Sequence, residues 1–188
     1  KGRSWTDISD GLQILQIYRI TNSSSDAKVN IVGNQDNGTI LRNASGWYEI
    51  NGGDGMECFI DYTNEDIIYT SWQRGNLERS TDGGENFASI TPGVVEDGAW
   101  ITPFIMHPEM TPVLYAGYKD VYMSTDRGRS WARNSEDLTG GINLNALAVA
   151  PGNDNYIYTS AKDTICSVFY RFCRFHRKTD VCSQIDNE

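Results

Sequence analysis

No run in this 188-residue chain approaches the ~20 consecutive apolar residues of a membrane-spanning helix, so these residues carry no helical membrane segment. Positive charge is scarce: 16 Lys and Arg stand against 25 Asp and Glu, a formal net charge of −9. Nucleic acid is excluded as a partner, because its phosphates need Lys and Arg to neutralise them. The surplus of carboxylates reads as a solubility feature. Histidine occurs only twice, and the four cysteines are lopsided, Cys58 alone and Cys166, Cys173 and Cys182 crowded near the end. A disulfide framework would be spread through the chain, so none is assigned, and no compartment follows from these cysteines. No helical 3.6-residue period of useful length is present. No initiating Met or leader peptide is visible at Lys1.

What the chain does have is 18 glycines, 10 tyrosines, 5 tryptophans and a repeated phrase. "STDGGENF" runs from Ser80 to Phe87 and "STDRGRSW" from Ser124 to Trp131. A worn copy, "RNASGW", ends at Trp47, and "KGRSW" ends at Trp5. The aromatic anchors fall at 5, 47, 87 and 131, steps of 42, 40 and 44. A second phrase keeps the same beat in "VNIVG", "IIYTS", "VLYAG" and "YIYTS", each preceded by a turn-rich stretch and an apolar segment. Four short strands per ~40–45 residues is the signature of a β-propeller blade. The chain is therefore expected to be all-β, about four four-stranded blades over residues 1–165. The blades run roughly over 12–50, 54–91, 98–134 and an incomplete 142–165.

Each letter of the phrase has a job in a turn. Asp82 or Asp126 can accept backbone N–H bonds from the residues that follow. Gly84 and Gly128 permit a backbone conformation that side chains resist. Ser80 and Ser124 can tie the two arms together, and Phe87 and Trp131 are expected to fill the space between blades. These residues resemble the Asp box, or BNR repeat, of sialidases, sortilin-type receptors, xyloglucanases and related secreted propellers. The resemblance implies that the box lies on the hairpin between the third and fourth strands, away from the ligand face, and is structural. It also implies a secreted protein and a chain cut from a longer propeller, beginning inside a box, with the remaining blades as its neighbours.

After "YTSAKDTI" the beat fails. Residues 166–188 lack the glycines of the repeat and gather Arg171, Arg174, Arg177 and Lys178. The spacing of the cysteines and His176 matches no metal site. This irregular tail is expected to be a non-repeat extension, frame-shifted or misjoined, without native function.

Three function classes compete: a binding module for a glycan or protein, a glycoside hydrolase, and a scaffold. "YRIT", Tyr18 to Thr21, resembles the stretch that supplies the first substrate-binding arginine of sialidases, but proline is replaced by Thr21. Arg19 reads as an inner-strand residue, and no motif fixes Arg74 or Arg79 as its companions. Xyloglucanase-like chemistry needs two carboxylates across a cleft. Asp36 in "NQDNG" and Asp54 and Glu57 in "GGDGME" are the weak catalytic candidates. "NQDNGT" and "PGNDN" match no calcium loop, and no cofactor or metal is assigned. N-x-S/T sequons at Asn22, Asn37 and Asn43 would matter only in a eukaryotic secretory pathway.

Alternating strand direction places the loops between second and third strands, and those between blades, opposite the boxes. That face is expected to collect "NQDNG", "WQRGN", "YKD", "AKD", "GGDGME" and "VVEDGAW". Aromatics beside amides and acids suit sugars, which offer faces to stack on and hydroxyls to bond. The expected ligand contacts are Gln35, Asp36, Asp54, Trp72, Arg74 and Tyr118, and the favoured role is non-catalytic binding or scaffolding.

Overall fold

The computed structural model describes residues 4, 6, 15–153, 156–161, 164–169 and 180–184, with backbone alone in the last two segments. Trp5, the basic cluster with Cys173 and His176, and Lys162–Asp163 of the "AKD" loop lie outside these residues.

Among the described residues, sixteen short strands form four antiparallel sheets, each built from four consecutive strands in chain order. The first sheet is β1 (Gln16–Asn22), β2 (Asn30–Gln35), β3 (Thr39–Asn43) and β4 (Gly46–Asn51). The second is β5 (Cys58–Ile60), β6 (Ile68–Trp72), β7 (Asn76–Ser80) and β8 (Ala88–Ser89). The third is β9 (Phe104–Met106), β10 (Leu114–Gly117), β11 (Val121–Ser124) and β12 (Ala132–Arg133). The fourth is β13 (Ala146–Val149), β14 (Tyr156–Ala161), β15 (Thr164–Phe169) and β16 (Asp180–Gln184). Among the described residues the sole helical element is a single 3-10 turn, Gln73–Gly75. The boundary expected at residue 165 falls inside β15, and Cys166 stands opposite Cys182 in the β15–β16 register.

Cores lie between sheets, and the two-residue period of each strand sorts side chains between them. In β5, Cys58 and Ile60 face the first sheet, meeting Ile31 and Leu41, with Phe87 and Ile50 at the margin. Phe59, between them, faces the third sheet. In β10, Leu114 and Ala116 join Phe59, Tyr69 and Leu77 in that second core, with Trp131 against it. Tyr115 turns to the third core with Leu144, Val149 and Ile157. The second strands β2, β6 and β10 are therefore buried on both faces for most of their length, and the sheets stack side by side. Cys58 belongs to this apolar packing: burial, reinforced by the Glu57 charge, pushes its thiol up to about 12, so it stays protonated.

The eight-residue phrase closes the hairpin between third and fourth strands twice with the same bonds. Ser80 Oγ donates to Asp82 Oδ1 at 2.6 Å and accepts the Gly84 N–H at 2.9 Å. Asp82 also accepts the Asn86 backbone and side-chain N–H groups at 3.0 and 2.9 Å. Ser124, Asp126, Gly128 and Ser130 repeat this set, with Ser130 Oγ in place of the Asn86 amide. The Ser80 hydroxyl and the Asn86 donors hold the Asp82 carboxyl down at about 2. Gly84 and Gly128 sit at φ +95° and +83°, in the left-handed region glycine tolerates best. The turns lean on the loops between first and second strands, through Gly83 N–H to Asp66 O and Arg127 N–H to Pro112 O. The loops between second and third strands are thereby left at the opposite end.

Candidate functional site

That opposite rim is assembled around the connection from the first sheet to the second, Gly52 to Glu57. Gly38 N–H bonds Gly53 O and Gly55 N–H bonds Asn34 O, both at 2.9 Å, sewing the connection onto the β2–β3 turn. Asp36, in the left-handed region at φ 58°, gives its N–H to Asp54 Oδ1 at 2.7 Å. Gln73 Nε2 of the β6–β7 turn donates to Asp54 Oδ2 at 2.6 Å. Asp54 is therefore a buried clasp between two blades with both oxygens engaged.

Glu57 pairs with Arg19 of β1, Nε to Oε1 at 2.8 Å. Burial raises the Glu57 carboxyl above its usual value, against the opposing charge and hydrogen bond of Arg19. An acid whose folded pKa is raised adds most stability while protonated, below its unfolded pKa of about 4.3, and loses it as pH rises through the folded value. Glu57→Gln keeps an acceptor for Arg19 and removes the titration. Urea midpoints measured between pH 4 and 7 should show wild type losing ground to this variant as pH rises; a constant gap would show that Glu57 is not strained by burial.

Next to this pair, Tyr18 Oη donates to Gln35 Oε1 at 2.6 Å and faces Trp100 Nε1 at 3.4 Å. Trp100 belongs to the loop from the second sheet to the third, so this contact reaches past a whole blade to the first. Trp100 O in turn accepts the Arg74 N–H at 3.4 Å, holding the loop on the β6–β7 turn. Trp100 is 48 % exposed and Trp72, at the end of β6, is 42 % exposed. The Arg74 guanidinium is open to solvent, 3.9 Å from Asp97.

The rim thus brings together Gln35, Asp36, Asp54 and Glu57 and leaves Trp72 and Arg74 exposed. Tyr118 corrects the surface expectation: it is 1 % exposed. Its ring fills the space left by the missing side chain of Gly75, with Cζ 2.9 Å from where a Cβ would stand, and its hydroxyl donates to Gly75 O at 2.5 Å. Asp120 is buried too, accepting from Ser135 Oγ and Arg133. Tyr18, Gln73 and Trp100 were not among the expected contacts. The position of Trp100 in "VVEDGAW" and of Tyr18 beside Arg19 were the available signals.

No protein-family model matches this sequence, and no curated protein matches it. Solved structures do. An ancestral GH74 enzyme superposes with a TM-score of 0.65 at 16% identity, over 81% of this chain and 22% of that one. The GH74 xyloglucanase from Xanthomonas campestris gives 0.65 at 14% identity, over 81% and 29%. An auxiliary nutrient binding protein from Bacteroides thetaiotaomicron gives 0.61 at 12% identity, over 92% and 43%. The chain spans less than half the length of each of these proteins, and at such identities the likeness establishes one thing, the β-propeller fold of four antiparallel blades.

Proposed function

We propose that the chain is part of an Asp-box propeller of an extracytoplasmic protein, and that its β2–β3 rim binds a polysaccharide without cleaving it. The carrying observation is the contrast on that rim between open aromatics and the engaged acids Asp54 and Glu57. Trp72 and Trp100 expose ring surface on which sugar faces stack. Asp54 has both oxygens occupied and Glu57 is paired with Arg19. A hydrolase needs one carboxyl to hold a proton and another free to activate water or attack. Further blades are the other proposed partners: Ile20 and Trp47 on the first sheet and Tyr158 on the fourth expose apolar surface of the kind neighbouring blades cover.

Titrating the chain with soluble xyloglucan while following tryptophan fluorescence tests the reading. Saturable binding, weakened about tenfold or more by Trp72→Ala or Trp100→Ala, is expected, with no new reducing ends after long incubation. Binding indifferent to both tryptophans sinks it.

One observation favours a glycoside hydrolase as the second reading. Glu57 is a largely buried carboxyl on the rim with a raised pKa, the property of a general acid. Its partner carboxylate would be Asp36, whose side chain is exposed in the adjacent turn. Reducing ends released by wild type and lost in Glu57→Gln would favour hydrolysis over binding.

A further inference from the structure

Beside the two tryptophans lies a cavity of about 280 Å³, between the β6–β7 turn and the loop to the third sheet. Arg74 and Asn76 form one wall, Thr91, Glu96 and Asp97 the other, and Tyr118 the floor. Its backbone is tied together before any ligand arrives, while the Arg74 and Asp97 side chains face solvent 3.9 Å apart. Gly98 N–H bonds Arg74 O at 2.9 Å and Val94 N–H bonds Thr91 O at 3.2 Å, closing the loop on the turn. Glu96 accepts the Tyr122 hydroxyl at 2.5 Å and the Lys119 N–H at 3.4 Å. Tyr118 supports the turn from below through Gly75 O.

The lining is mixed in charge. A guanidinium on one side repels a cation, and two carboxylates on the other repel an anion. A neutral ring of hydroxyls meets donors in Arg74 and Asn76 and acceptors in Asp97 and the Asn76 carbonyl, since each hydroxyl both gives and takes a hydrogen bond. A loop already bonded to its neighbouring turn loses little backbone order on binding.

We propose that this cavity seats one neutral sugar ring of the polymer that crosses Trp72 and Trp100, and selects it against charged sugars. The inference rests on the rim-binding reading above. Trp72 runs directly into the cavity's turn, and Trp100 is bonded to that turn at Arg74. Both tryptophans therefore share the backbone turn that walls the cavity, and a chain lying on their rings would run next to it.

Calorimetric titration of the whole chain with defined tetrasaccharides tests this. The neutral probes are cellotetraose, xylotetraose and mannotetraose; the charged ones are tetragalacturonate and a glucosamine tetramer. Wild type should bind at least one neutral probe about tenfold more tightly than either charged probe, the scale of one lost hydrogen bond to a charged group. Asp97→Asn should admit tetragalacturonate, and Arg74→Gln should admit the glucosamine tetramer, each with unchanged melting temperature. If Trp72→Ala weakens neutral binding while neither charge variant alters selectivity, the cavity inference falls and the rim reading stands. Preference of wild type for a charged probe overturns the cavity inference as well. Failure of every neutral probe to bind at millimolar concentration overturns both.

Discussion

Trp131→Ala is expected to lower stability by about 3–5 kcal/mol, the range for emptying a large aromatic site. Trp131 follows the second intact hairpin turn and reaches back across the interface between the second and third blades. Its Nε1 donates to Ile90 O at 2.5 Å, and its ring lies 6.3 Å from that of Phe104, which is fully buried. Truncation therefore opens the joint between two blades and leaves the Ile90 carbonyl without this donor. Trp47 is the internal control. It occupies the same place in the first blade's worn turn but is 57 % exposed, its ring facing the Arg42 guanidinium at 5.7 Å. Trp47→Ala should cost about half a kcal/mol, as surface changes do. Urea unfolding of the two variants decides the matter: equal losses would mean that Trp131 does not bind the blades together.

The same pair of tryptophans shows what the sequence could convey. Four sheets of four strands follow from a spacing near 42 residues, because each repeat must supply one sheet and its turns. The hairpin bonds of Ser80, Asp82, Gly84 and Asn86 span at most four residues, so local chemistry determines them. The rim was less legible because its contacts join distant parts of the chain. Tyr118 sits in a tight loop, where a tyrosine reads as exposed; its socket is created 43 residues away by a glycine in the neighbouring blade. Tyr18 and Trp100 are 82 residues apart and meet through the stacking of three blades. The short segment containing Asp54 and Glu57 drew attention as a source of carboxylates, yet nothing in its letters says that Gln73 and Arg19 occupy those acids. Strand count is a local property repeated, whereas the state of a carboxylate depends on its neighbour in another blade.

Gly33→Ala should be strongly damaging although it removes no contact at all. Gly33 lies in β2, a central strand buried on both faces, where the first blade meets the connection leading to the second. A Cβ there would strike the Met56 carbonyl oxygen and stand 2.9 Å from the carbonyl carbon and oxygen of Gly55. These are backbone atoms, which cannot rotate away as the end of a side chain can. The cost comes from space alone, because Gly33 is not among the glycines with positive φ. Overpacking of this kind costs about 3 kcal/mol. Gly53→Ala separates the two effects, since Gly53 has a φ of +78° but nothing within 4 Å of its Cβ position. It should lose only about 1 kcal/mol, the conformational term. The displaced segment carries Asp54 and Glu57, so Gly33→Ala should also loosen the clasp to Asp36 and Gln73. Amide exchange at Asp36, whose N–H is held by Asp54, reports this directly. Faster exchange in Gly33→Ala than in Gly53→Ala is expected. Unchanged protection, or equal destabilisation by the two alanines, would mean that the blades do not depend on this backbone-to-backbone approach to hold the rim in place.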